Sequence, residues 1–254
     1  MKKADFPYTG FWTSWFFEDP TAIEYEQYLI DRIASPQICE DIKQVLLILK
    51  KYELLIPTYV QDRPRGKFEI KADNVEDFVA ELAALIKQQK IDTEIEIGGY
   101  GVVYDENNEP LIQEDLIGVA IRFFQRQVVI STTKGIWVPI SIAKNHDLDW
   151  QIELARNNCY RLEACLREIH AALGMQMSPD EEEIDRDNPI WIKGFRPYIN
   201  PSILISQYKH RPLSQPFNFS EFLLEQYPMK ETNILQSFGD TEWPITATNS
   251  STHN

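Results

Sequence analysis

Cysteine is scarce in this chain. Its 254 residues hold three, Cys39, Cys159 and Cys165, with no CxxC pair among them. An odd, scattered set excludes a disulfide framework and suits the reduced thiols of a cytoplasm. Long apolar runs are missing too. The most apolar stretch, Val45 to Leu49, is closed by Lys50 and Lys51, whereas a membrane-spanning helix needs about 18 or more such residues. After Met1-Lys2-Lys3 the chain continues through Tyr, Thr, Gly, Trp and Ser instead of an apolar core, so no secretory signal is expected. These absences predict a soluble, cytoplasmic protein with no membrane partner.

Positive charge is in deficit. There are 25 Lys and Arg against 39 Asp and Glu, a formal net charge of −14. A field of that sign repels phosphate backbones, so direct nucleic-acid binding is not expected. It attracts basic proteins and speeds their arrival at low salt, although it also serves solubility alone. With 43% hydrophobic and 25% charged residues, the chain has the composition of a folded globular protein, and its length allows a large core without a metal staple.

Reaction-centre motifs are also lacking. No G-x-S-x-G elbow occurs, and the four histidines leave few bases for a nucleophile. Gly98-Gly99-Tyr100-Gly101 lacks the G-x-G-x-x-G order of a phosphate cradle and is not followed by a helical pattern; a tight turn or bulge explains it. His146, Cys159, Cys165 and His170 form the single soft-ligand group. The two cysteines stand about 240° apart around a helix and diverge, so neither metal nor cofactor is expected. The remaining alternative is a metal-dependent hydrolase or nuclease using Asp62, Glu69 and Lys71, because two carboxylates and a lysine around Mg²⁺ can activate water. Alternation places Glu69 and Lys71 on one solvent face, where a surface ion pair accounts for them equally well.

The hydrophobic period divides the chain. Gly10 to Phe17 carries five aromatics in eight residues and reads as an edge strand covering the core. Asp19-Pro20 and Ser35-Pro36 each pair an N-cap with Pro at the first helical position, predicting two antiparallel helices. Apolar residues from Ile23 to Ile33 line the first, and Ile38, Cys39, Ile42, Val45, Leu46 and Leu49 line the second. Leu54 to Val60 and Lys67 to Ala72 read as a hairpin around the polar segment 61–66. Asn74 caps a helix with Val75, Phe78, Val79, Leu82, Leu85 and Ile86 on one face. From Ile91 to Ile97 the period changes to two, the pattern of a strand. Three strands across Leu116 to Ile142 form a β-meander. Asp147 or Asp149 then caps a long helix ending at Leu173, with Gly174 as its stop.

Beyond lies Ser178 to Pro189, a proline-bounded loop with six acids and one arginine. Ile190 to Ile199 and Ile203 to Tyr208 read as short strands, and Phe219 to Tyr227 as a short helix. The fold class expected is α+β, an antiparallel sheet packed against amphipathic helices. It forms one domain over 1–228, with lobes 1–90 and 91–228 as an alternative division. Residues 229–254 form a partly disordered tail.

The size, the acidity, the aromatic opening Gly10 to Phe17, the meander followed by a long helix and the proline-rich final third together resemble the immunity proteins of bacterial polymorphic toxin and contact-delivered effector systems. Within that class the likeness is greatest to those paired with nuclease toxins. It spans about residues 6–228 and includes no diagnostic motif, so it assigns no residue a role. It implies that the chain is no enzyme and neutralises a cognate, basic protein toxin through an acidic and aromatic surface. The candidate contacts are then Asp180, Glu181, Glu182, Glu183, Asp185 and Asp187, with Asp105, Glu106 and Glu109 as a second patch, each also readable as a solvated loop residue. A phage-derived or structural assembly subunit is a third reading, and self-association into a homo-oligomer stays open.

Overall fold

The computed structural model describes residues 1–4, 6, 13–19, 36–62, 65–89, 94–123, 126–137, 140–142, 148–179, 190–193 and 195–199. The expected helix across 20–33, residues 180–189 of the expected loop 178–189, the strand 203–208, the helix 219–227 and the tail lie outside them, while Ser178 and Pro179 of that loop belong to a strand. The elements before the long helix are β1 (Lys2–Lys3), β2 (Thr13–Glu18), α1 (Pro36–Lys51), β3 (Ile56–Asp62), β4 (Gly66–Glu69), α2 (Val75–Gln89), β5 (Glu94–Tyr104), β6 (Pro110–Glu114), β7 (Gly118–Arg122) and β8 (Gln127–Thr132). A 3₁₀ turn (Gly135–Trp137), β9 (Ile140–Ile142), β10 (Leu148–Trp150), α3 (Ile152–Leu173), β11 (Gln176–Pro179), β12 (Ile190–Lys193) and β13 (Arg196–Ile199) follow. This is an α+β fold.

Nine strands form one sheet, antiparallel except where β1 lies parallel to β6. Its centre is β5. Tyr100 is registered with Ile56 of β3 and with Glu114 of β6, while Ile97 is registered with Val60 of β3 and Val119 of β7. Hence β3 takes one edge of β5, and β6 and β7 run end to end along the other. Between them two β5 residues, Gly98 and Gly99, oppose four, from Asp115 to Gly118. That bulge turns Asp115 to a φ of 49° and lets its N–H donate to the Gly99 carbonyl at 2.9 Å. Strands from both sides of residue 90 share this sheet.

One face of the sheet carries the core. Trp15 and Phe17 of β2, Ile95 and Ile97 of β5 and Ile130 of β8 have no exposed area. They join a single apolar cluster with Ile42, Leu46 and Leu49 of α1, Phe78 and Leu82 of α2, and Leu162, Leu166 and Ile169 of α3. Each helix presents the stripe its spacing predicts, and burying such side chains stabilises the fold by about 1.5–3 kcal/mol apiece. Asn74 caps α2 as expected, its Oδ1 accepting the Asp77 N–H at 2.8 Å. Gly174 ends α3 in the left-handed region at φ 60°, its N–H on the His170 carbonyl.

Four expectations change. The aromatic strand is interior, because β2 pairs with β8 on one side and β11 on the other. Both backbone edges of β2 are thereby paired, while Trp15 and Phe17 turn into the core. Among the described residues the third meander strand is absent from the sheet: Gly135–Trp137 turns as a 3₁₀ helix and β9 pairs with β10. Since β2 already holds the free edge of β8, no place remained. The cap of α3 is Gln151, and Asp149 lies within β10. Finally, of the turn or bulge expected at Gly98 to Gly101 only the bulge is present, set within the unbroken strand β5. A Cβ on Gly99 would stand 2.0 Å from the Ile56 carbonyl oxygen, and one on Gly98 2.2 Å from the Tyr59 ring. These glycines admit close neighbours.

Candidate partner-binding surface

Of the nine acids expected at a partner surface, Asp180, Glu181, Glu182, Glu183, Asp185 and Asp187 lie outside the described residues. The other three sit in the turn joining β5 to β6, and they are not equivalent. Asp105 Oδ1 accepts the backbone N–H groups of Asn107 and Glu109, each at 2.8 Å, and its carbonyl accepts the Asn108 N–H at 2.9 Å. Its carboxylate therefore builds the turn. Glu106 and Glu109 are exposed and point their charge into solvent.

This turn stands on α3. Asn157 Nδ2 donates to the Asp105 carbonyl at 2.7 Å. Asn158, buried, accepts the Tyr104 N–H at 3.0 Å and donates to the Tyr104 carbonyl at 2.7 Å. One helical turn on, Arg161 donates to the carbonyls of Tyr52 at 2.7 Å and Val102 at 3.0 Å while its guanidinium lies 4.8 Å from the Tyr104 ring centroid. Burial holds the Arg161 pKa below its ordinary value. The patch bearing Glu106 and Glu109 is thus fixed to a helix rather than hung on a free loop.

Asp62, Glu69 and Lys71 do not converge. Register pairs Tyr59 with Glu69 and Asp62 with Gly66, so alternation sends Glu69 outward with Tyr59 and Asp62 inward with Val60. Glu69 and Lys71 are exposed, and Asp62 has no exposed area. Asp62 Oδ2 binds Arg65 at 2.5 Å, and Oδ1 has no hydrogen-bond partner among the described residues. Sequence pattern missed this burial because Asp62 falls in a polar stretch that reads as turn. Among the described residues no three His, Cys, Asp or Glu side chains group where a metal ion would sit. Cys165 lies in the core, where burial pushes its thiol pKa up and keeps it protonated; Cys159 is buried on the same helix.

The face of the sheet turned away from the helices holds a group that the sequence did not single out. Its β2–β8 end is covered: Ser14, Gln127 and Val129 are buried. Toward β3 and β4 it opens, with Gln61, Lys67, Glu69, Glu114 and Asp115 exposed. There the Tyr59 ring rests on the bare backbone of Gly98, and its hydroxyl donates to Asp115 Oδ1 at 2.8 Å. The Lys67 ammonium stands 3.6 Å from the ring centroid. Burial, the hydrogen bond to Asp115, and the charges of Asp115, Glu96 and Glu114 all push the Tyr59 pKa far above its ordinary value. The sequence signal was the glycine run inside an alternating strand, which marks a place where something must approach closely.

Beside this group a polar row crosses four strands. Glu94, Arg122, Gln127 and Glu18 are successive register partners. Arg122 Nε donates to Glu94 at 2.7 Å and its Nη1 to Gln127 at 2.8 Å, and Gln127 donates in turn to Glu18. Chemically the face offers carboxylates and a phenol ring on a rigid sheet, a surface suited to cationic side chains. No family model matches the chain, and no curated protein or solved structure gives a significant match. No helix among the described residues is long and apolar enough to cross a membrane.

Proposed function

We propose that this chain is a cytoplasmic immunity protein that binds and neutralises a cognate, basic protein toxin, a nuclease in the reading that best fits the charge. The observation that carries it is the open sheet face on which Tyr59 stands among Asp115, Glu96 and Glu114. A nuclease must present positive charge to its own substrate, and an inhibitor competes by offering carboxylates to the same cleft. The net charge of −14 steers the encounter, and desolvated aromatic anchors slow escape.

The hydrolase reading finds no comparable support, since it requires Asp62 and Glu69 to meet around one ion and they occupy opposite faces of their hairpin. The test is co-expression with the product of the adjacent gene. Rescue of growth, together with a complex that co-elutes on size exclusion, is the expected outcome. Absence of both overturns the proposal, and a homo-oligomer that forms without any partner favours an assembly subunit instead.

A further inference from the structure

The Tyr59 group has the geometry of a cation seat that the chain fills with its own lysine. The ring is fixed from below: it lies on Gly98, where any Cβ would collide with it, and its hydroxyl is tied to Asp115. The Lys67 ammonium stands over the ring, 3.6 Å from its centroid. Glu96 and Glu114 lie close enough to act on the phenol electrostatically. Lys67 is exposed on β4, a strand paired only with β3 at the sheet margin, and among the described residues no carboxylate lies within ion-pair distance of its Nζ. Its side chain can swing away without breaking a salt bridge there, losing only a longer-range attraction to Glu114, whereas the ring is held by Gly98 and Asp115. Around it Gln61, Glu69, Glu114 and Asp115 are exposed as well.

We infer that this open sheet face is a docking site for a basic segment of a partner protein, whose arginine displaces Lys67 and stacks on Tyr59. Arginine is favoured over lysine because a planar, weakly hydrated guanidinium lies flat on an aromatic ring and still reaches flanking carboxylates. Glu96 and Asp115 supply the charge complement, joined by Glu114 where it exchanges its ion pair with Lys3 at 2.8 Å, and the three oppose a phosphate backbone. The seat rests on the toxin-binding reading for its biological partner, but its chemistry is testable without one.

The experiment is a chemical-shift titration of the intact protein with a capped Gly-Arg-Gly-Arg-Gly peptide, its lysine counterpart and a short single-stranded DNA oligonucleotide. The arginine peptide is expected to shift the amide signals of Tyr59, Lys67, Gly98 and Asp115, and to bind more tightly than the lysine peptide. Lys67→Ala is expected to tighten it about two- to fivefold, the worth of an exposed cation–π contact. Lys71→Ala removes the same charge from the same hairpin and is expected to give a smaller gain. Tyr59→Leu is expected to abolish the localised shifts. An equal gain from both lysine variants, shifts spread over all acidic surface, or the same response to the oligonucleotide would overturn the seat. The toxin reading fails separately, in the co-expression experiment.

Discussion

Asp62 and Glu69 occupy opposite faces of one hairpin, Asp62 with no exposed area beneath the sheet and Glu69 in solvent above it. Seven residues apart in sequence, they are separated by the pleat itself. Among the described residues the buried carboxylate is answered on one oxygen, by Arg65.

That asymmetry sets an order of stabilities. Removing one partner of a buried pair costs about 3–5 kcal/mol, but Arg65 is 37% exposed, which reduces the loss to about 2 kcal/mol for Arg65→Ala. Asp62→Asn keeps a polar group of the same shape in the buried position and is expected to cost less. Urea denaturation of both variants checks the order, and equal losses would show that the pair contributes nothing specific.

The glycines of β5 differ in what a methyl group meets. In Gly99→Ala the new Cβ meets the backbone carbonyl of Ile56, which cannot step aside without parting β3 from β5; the expected loss is about 3 kcal/mol or more. In Gly98→Ala it meets the Tyr59 side chain, so the ring is displaced and the hydroxyl bond to Asp115 is lost at a smaller cost. Thermal unfolding, with the Tyr59 ring shifts as a second readout, separates the two.

Alkaline pH is expected to weaken this fold by a definite route. Tyr52, Tyr59 and Tyr104 all have pKa values raised above 10.0, and Cys165 above 9.0. Once pH passes those ordinary values the unfolded chain sheds protons that the folded chain keeps. The unfolded state then binds fewer protons, and stability falls as pH rises. The decline is expected to begin near pH 9 and steepen above pH 10. Tyr59→Phe is expected to flatten it, and a slope unchanged in that variant would contradict the environment described for the phenol.

The acids of the proposed surface divide by role. Asp105→Ala deprives two backbone N–H groups of their acceptor and is expected to destabilise the fold by about 1–2 kcal/mol. Glu106→Gln with Glu109→Gln is expected to leave stability unchanged while slowing association with a toxin in low salt. Neutralising Asp180, Glu181, Glu182, Glu183, Asp185 and Asp187 together is expected to slow it several-fold, as steering by a charged loop requires. Stopped-flow rates at two salt concentrations test both, and an unchanged rate removes the patch concerned from the interface.

Much of the fold was legible because period is local information. The stripes Ile38 to Leu49, Val75 to Ile86 and Ala155 to Ile169 repeat every three or four residues, and each became a helix packed by that stripe. Asn74 and Gly174 marked their ends for equally local reasons. The open face was not legible, because it joins Tyr59, Lys67, Gly98 and Asp115 from four separate stretches of chain.

Sequence alone therefore determined which segments coil and which extend, where helices cap and stop, and that the whole molecule carries excess negative charge. Tertiary structure decided which strand neighbours which: that β2 lies between β8 and β11, that Gly98 underlies the Tyr59 ring, and that Asp62 turns inward while Glu69 turns out. The physical reason is that side-chain period and end-capping depend on residues within about a turn of one another. Strand order and the choice of face are settled only when distant segments compete for the same sheet edges and the same core.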